Sequence, residues 1–368
     1  MRLGIILSVS ATVWAQGATA DLKDVAIGDN YVFAPYGHLH GAYQSFDDGR
    51  QQTDTIVDPS PSISRFGFFI RPSKSDLGFS FQFESSLGFR PSDKVSQTNT
   101  PPAWDWTKGN LRQVQLIHAS RFGTLRLGQG SMPLDSAAEV DLGGYNNVAK
   151  SNISEGYGSY ILRDTTGALT SLDIGDTFDS FDGDRRLRAR FDTQSVAGFS
   201  LSLAYGIEVL KSGDDNTYYD AALRYKNDFG RLKVTGAIGS GWAKSSASVD
   251  RVTVGSIGLL DKETGLNLTV AAGQDAKGTQ PNYVYLRAGW NHAFWSVGDT
   301  KIALEYFTGS DYGSAGSESQ MWGVALLQDF DDLGLQVYAG FREFRYSDLT
   351  PVTYLDTQGI QIGARWKF

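Results

Sequence analysis

Arg186, Arg188 and Arg190 stand at every second position, with Leu187, Ala189 and Phe191 between or beside them. A β-strand sends successive side chains to opposite faces, so this spacing puts three guanidiniums on one face and three apolar groups on the other. Like charges in a row repel and have to be solvated or paired. Against hydrocarbon each would cost about 2–4 kcal/mol at mid-depth, so the arginine face must line water. A ring of fixed charge beside a water-filled passage is a way of sorting ions. The plainer alternative is a rim cluster neutralised by Asp182 and Asp184, with no bearing on conduction.

Other residue groups carry less chemistry. The acidic run Asp173, Asp176, Asp179, Asp182 and Asp184 has the oxygen ligands a Ca²⁺ ion wants, but its spacing does not fit an EF-hand loop. A solvated loop edge is the expectation there. The four histidines, His38, His40, His118 and His292, are scattered, and no H-E-x-x-H motif is present. His38 and His40 share a strand face and are read as lining; no metal or cofactor is expected. Gly236–Gly241 lacks the lysine and following helix of a phosphate loop. His118 and Ser120 lie two apart on one strand face, which does not make a catalytic triad, so an enzyme is not expected.

The elements that hold these residues are strands. Ile360, Ile362, Ala364, Trp366 and Phe368 alternate with Gln361, Gly363, Arg365 and Lys367 up to the last residue. A strand with lipid on one face and a wet lumen on the other wants this pattern. Similar segments recur at intervals of roughly 10 to 20 residues. Tyr36–Ser45 opposes Leu39 and Tyr43 to His38, His40 and Gln44; Ser64–Arg71 opposes Phe66, Phe68 and Ile70 to Arg65, Gly67 and Arg71. Leu77–Phe89, Thr124–Gln129, Arg186–Asp192 and the stretch from Phe199 to Glu208 follow the same rule. Leu111–Ser120 is ambiguous, because Val114 and Leu116 fall on the parity of Arg112. Further strands are read at Thr217–Lys226, Arg231–Gly241, Arg251–Leu260, Gly265–Gln274, Asn282–Asn291, Lys301–Thr308, Gln320–Gln328 and Leu335–Tyr346. The total is about sixteen, and the fold class is all-β: an antiparallel, up-and-down transmembrane barrel.

The connections alternate short and long. Short ones include Pro72–Asp76, Arg121–Gly123, Val196–Gly198, Asn227–Gly230 and Asp329–Leu333; long ones include Asp47–Pro61, Arg90–Gly109 and Ser131–Asp184. Phe122, Phe199, Phe229, Phe294, Trp295, Phe330 and Phe368 gather at the short-turn rim, where an aromatic belt belongs. A solenoid is disfavoured by the lack of a fixed repeat. A sandwich is disfavoured by the many Gly, Ser, Gln, Arg and Lys at inward positions.

Composition agrees. The 368 residues include 42 Gly and no Cys, with 12% aromatic residues. No apolar run reaches the roughly 18 residues of a transmembrane helix. Met1–Ala20 reads as a signal peptide, with Arg2, a short apolar stretch and the A-x-A site Ala18-Thr19-Ala20. The mature domain is expected to run from Asp21 to Phe368. Loss of Arg2 takes the formal charge from −8 to −9, so no nucleic-acid partner is expected.

Ser64-Arg65-Phe66-Gly67-Phe68, Asp76-Leu77-Gly78-Phe79 and Phe81-Gln82-Phe83-Glu84 resemble the second and third strands of Gram-negative general porins. Arg112-Gln113 and Phe122–Gln129 resemble the strand pair before their inward loop; Arg188–Asp192 and Ala197–Ser200 resemble the strand and turn after it. The resemblance implies an outer-membrane homotrimer, in contact with lipid and lipopolysaccharide, that passes ions and small hydrophilic solutes. It implies that the third long loop folds inward and faces a basic wall. By position, the acidic candidates are Asp135, Glu139 and Asp141, and the wall candidates are Arg65, Arg112, Arg186 and Arg188. Trp366 and Phe368 would close the barrel and mark it for assembly. Where the family usually has Gly-Arg, this chain has Gly128-Gln129, and Ser131–Asp184 is long enough for an extra hairpin around Tyr157–Ile174. A solute-specific channel and a non-conducting structural or adhesive barrel are the alternatives; Tyr283 and Tyr285 are the only obvious inward aromatic pair.

Overall fold

The computed structural model describes residues 22–368; the expected signal segment and the start at Asp21 lie outside them. In chain order the first strands are β1 (Val25–Ile27), β2 (Tyr31–Asp47), β3 (Gln52–Val57), β4 (Arg65–Pro72), β5 (Gly78–Ser86), β6 (Leu111–Ser120) and β7 (Gly123–Ser131). Loop 3, residues 132–184, holds the one-turn helices α1 (Ser154–Tyr157) and α2 (Ile174–Thr177) and the hairpin β8 (Ile161–Arg163) and β9 (Leu169–Asp173). The chain then continues through β10 (Arg185–Thr193), β11 (Phe199–Ile207), β12 (Thr217–Phe229), β13 (Leu232–Lys244), β14 (Val249–Asp261) and β15 (Leu266–Asp275). It ends with β16 (Asn282–Trp295), β17 (Gly298–Ser310), β18 (Glu318–Phe330), β19 (Leu335–Ser347) and β20 (Thr357–Lys367).

Each strand pairs antiparallel with its neighbours, and β20 pairs with both β19 and β2, so the sheet closes on itself as a sixteen-strand barrel. Closure satisfies every edge, which an open sheet in hydrocarbon could not do. The alternation in sequence is the alternation in space. Leu201, Leu203, Tyr205 and Ile207 are exposed on the outer face of β11, while Ser202 is buried on the inner one. Phe122, Phe199, Phe229, Phe294 and Trp295 stand exposed at the short-turn rim, as a belt at a membrane interface would.

Two local features depart from the sequence reading. Asp47–Pro61 is not a long loop. Ala42–Asp47 of β2 pairs with β3 through a tight turn, and Tyr31–His38 of β2 pairs with β4. Strands β3 and β4 are therefore one barrel strand, interrupted by residues 58–64. The second departure settles the ambiguous β6. Opposite β5, Glu84 pairs with Gln113 but Ser85 pairs with Leu111, a bulge that leaves Arg112 unpaired in the ladder. One extra residue re-aims a side chain. Arg112 consequently reaches the inner Glu84 carboxylate at 2.6 Å, although Leu116 of the same parity is exposed outside.

Candidate functional site

Loop 3 runs inside the barrel and is fixed to the inner wall of β12 to β20 and to β2 beside it. Its first half is tied by polar contacts. Asp141 accepts backbone N–H groups from Gly143, Gly144, Tyr145 and Asn146 and ion-pairs with Arg287 Nη2 at 2.6 Å. Tyr145 Oη donates to Asn291, and Ser256 Oγ donates to the Ala137 carbonyl. The second half is tied by aromatic contacts. The Phe178 ring lies 5.6 Å from Phe307 and 5.4 Å from Phe344, Phe46 stacks on Tyr160 at 4.1 Å, and Phe181 stacks on Tyr312 at 5.6 Å. Each such pair contributes about 0.5–1.5 kcal/mol beyond burial. The inward glycines of this wall make the fit possible. A Cβ on Gly289 would meet Tyr145 within 2.8 Å, and one on Gly359 would meet Tyr157 at 2.6 Å. These glycines receive the loop.

The hairpin β8–β9 returns to the long-loop end, where Arg163 pairs with the fully buried Asp48 at 2.8 Å; the Thr165 N–H donates to the Thr353 carbonyl of the last long loop, and the Leu355 N–H of that loop donates to the Arg163 carbonyl. It occupies the region where an extra hairpin was expected. Besides a cavity of about 260 Å³ between loop 3 and β12 to β15, water-accessible space lies on the other side of the barrel. Two cavities, a mixed one of about 300 Å³ and a polar one of about 390 Å³, share Ser60, Arg112, Asp184 and Arg185 in their linings. The deeper one is lined on the wall by Arg65, Glu84 and Arg112, and on loop 3 by Asp135, Glu139, Lys150, Glu155 and Asp182, with Arg185 between. Residues 58–64 add Ser60 and Pro61 from the interrupted strand. Here the burial of Glu139 pushes its carboxyl up to about 7, against the pull of Lys150 at 3.0 Å. Burial, with Glu139 and Asp135 beside it, holds Asp182 well above the usual carboxylate range. For Lys150 burial acts against the charge, but Glu139 and Glu155 outweigh it and raise its pKa.

A closed barrel whose inner loop leaves a charged cavity against an arginine wall is a channel architecture. The family profile described as Gram-negative porin matches residues 7–349. The chain belongs to the Gram-negative porin family. No curated protein matches it. Among solved structures, the anion-selective porin of Comamonas acidovorans is similar at a TM-score of 0.60 and 14% identity, over 92% of this chain and 100% of that one. OmpF of Salmonella typhi, in complex with daunomycin, gives 0.59 and 14% over 94% and 100%. OmpT of Vibrio cholerae in its trimer form gives 0.57 and 12% over 92% and 100%. At such low identity these TM-scores show a shared fold alone, and the family places this porin in the bacterial outer membrane.

The residues singled out in sequence are distributed unequally in this porin. Arg65, Arg112, Asp135 and Glu139 meet around the deeper cavity. Asp141 does not line it; its side chain is spent on Arg287. Arg186 lies over the Tyr218 ring at 4.1 Å and pairs with Asp184 and Glu208. Arg188 is buried behind the root of loop 3, donating to Gly128 and Ser131 carbonyls and to Gln115 Oε1. Trp366 faces outward beside Leu39, and Phe368 exchanges backbone hydrogen bonds with Gly37. Arg185, Lys150, Glu155 and Asp182 also line the cavity and escaped the sequence reading as lining residues. Arg185 sits on the parity of Leu187, so alternation placed it outside; at the end of β10, where the chain leaves loop 3, that rule no longer binds. The acidic run is structural in part. Asp173 and Asp176 cap α2 reciprocally, and Asp182 accepts from the Ser136 and Ala138 amides.

Proposed function

We propose that this porin is a passive channel for ions and small hydrophilic solutes, narrowest between loop 3 and the Arg65–Arg112 wall. The observation that carries the reading is the 390 Å³ cavity with carboxylates on the loop side and guanidiniums on the wall side. Opposed charges across a narrow slot give a transverse field that is weakly screened there. Such a field orients dipolar solutes and disfavours apolar ones. Glu84 lies between Arg65 and Arg112, at 3.7 and 2.6 Å, so the wall is partly neutralised and the loop carboxylates weigh more. Single-channel conductance and reversal potential across a planar bilayer test this.

The filling of the lumen beside β12 to β20 favours one other reading, a non-conducting structural barrel. Absence of conductance in correctly folded protein would select it. The apolar outer face is read as meeting lipid, the long-loop end as meeting lipopolysaccharide, and the protein as assembling as a homotrimer. The trimer is supported by the trimeric Vibrio cholerae relative alone. Gln115 turns inward on β6, donating to Gln82 and Gln113 and accepting from Arg188, so it offers nothing to a neighbouring subunit.

A further inference from the structure

Below loop 3 the charge of the lumen changes sign. At inward positions of β12, β13 and β20 in the short-turn half stand Arg224, Lys226, Lys233, Arg365 and Lys367. None of the five has a carboxylate within 4.0 Å among the described residues. The neighbouring carboxylates are already engaged: Asp192 with Arg126 and Arg190, Asp329 with Lys301, and Asp228 with Lys262. Asp299 is the inward acid left there, and the rim turns carry both signs. On the long-loop side the balance is reversed, since Asp182, Asp220 and Asp275 have no cation within 4.0 Å.

Three of the cations form a compact group. Lys226 pairs in register with Thr235 and Lys233 with Asp228, whose carboxylate is held by Lys262 at 2.8 Å, so Lys226 and Lys233 stand diagonally across adjacent strands. Diagonal neighbours stand about 7–8 Å apart, and Arg224 lies about 7 Å up the same strand from Lys226. Arg224 is held by donating to the Pro133 and Asp135 carbonyls at 2.9 and 2.8 Å, so its charge is fixed at the underside of loop 3. A solvated monovalent anion would be served by one such group; a cluster of three, in a funnel with low-dielectric walls, suits an ion with several charges.

We infer that the short-turn mouth collects small polyvalent oxyanions, of the polyphosphate or phosphate-ester class, at Arg224, Lys226 and Lys233. The site rests on the channel reading above and adds an axial polarity to it: acidic toward the long loops, basic toward the short turns. Polyvalent anions are therefore drawn into the lumen more strongly from the short-turn side than from the long-loop side.

Single channels in ~0.1 M KCl, where the screening length is about 10 Å, provide the test, with inorganic pyrophosphate as probe. Pyrophosphate is added to one chamber and then the other. The short-turn side is identified with S246C, whose thiol a membrane-impermeant polymer reagent reaches from the long-loop side; the chain has no other cysteine. We expect the current to fall at a pyrophosphate concentration at least ~10-fold lower on the short-turn side, a difference of about 1.4 kcal/mol. K226Q/K233Q should abolish the difference and K226R/K233R should keep it. Equal potency from both sides, or a difference that survives K226Q/K233Q, overturns the inference and leaves the channel standing. A folded wild-type protein that does not conduct overturns the channel reading instead, and the inference with it.

Discussion

Arg287 and Asp141 form an ion pair at 2.6 Å, almost wholly buried, that joins loop 3 to the wall opposite Arg65 and Arg112. Arg287 also donates to the Ala149 carbonyl and to Thr269, so one side chain grips the loop at two points. Neither Arg287 nor Asp141 lines the 390 Å³ cavity, so the contact that holds the loop lies outside the cavity that the loop borders.

Removing one partner of a buried pair leaves the other uncompensated, at a cost of about 3–5 kcal/mol. Arg287→Met should accordingly lower the thermal midpoint and free the first half of loop 3, which would appear as increased open-channel noise. Arg287→Met combined with Asp141→Leu should recover part of the stability. If the single variant is as quiet and as stable as the parent, the pair does not hold the loop.

Phe368 and Gly37 exchange backbone hydrogen bonds of 3.1 Å in each direction where the last strand meets the first long one. The Phe368 ring and the Arg65 carbonyl both come within 2.7 Å of where a Gly37 Cβ would stand. Gly37→Val should thus impair barrel closure, as should Phe368→Asp, read as loss of the heat-modifiable gel shift. Normal folding of both variants would show that closure does not depend on this contact.

The strand period was legible in the sequence because each outer row, such as Leu201, Leu203 and Tyr205, obeys a purely local rule. Arg112 was not placed by that rule. Its direction depends on a bulge against Glu84, and a bulge is a property of two paired strands. The interruption between β3 and β4 is of the same kind: residues 58–64 leave the ladder for Ser92 and Asp93 of the next loop, contacts 30 or more residues away in sequence. Loop 3 was foreseen as an inward segment only through family resemblance. Nothing in its period showed that Asp141 would turn to the wall while Asp135 and Glu139 turned to the cavity. The glycines that receive it were visible but carry no sign of what fills the space they leave.

Protonation of the loop should be measurable in the selectivity. Burial raises the Glu139 carboxyl to about 7, and Asp182 stands well above its ordinary range. Glu139 gains its proton as pH falls through about 7, and Asp182 gains its own above the ordinary carboxylate range, so the loop loses negative charge between pH ~8 and ~6. Cation preference should decline over that window, and Glu139→Gln should remove part of the decline. Because a raised carboxyl pKa means tighter proton binding in the folded state, these groups favour folding at the acid end of the window and lose that contribution as pH rises through it. A reversal potential independent of pH would contradict this account of the loop.

The central claim is that loop 3 and the Arg65–Arg112 wall face each other across the conducting path. Reversal potential under a salt gradient, measured for two double variants, tests it most directly. Arg65→Ser with Arg112→Ser removes wall charge and leaves Glu84 unpaired, so conductance and cation preference should both rise. Asp135→Asn with Asp182→Asn should shift preference toward anions. Both shifts should shrink at ~1 M salt, where the screening length is about 3 Å. Unchanged conductance and reversal potential in both variants would place the path elsewhere in the barrel.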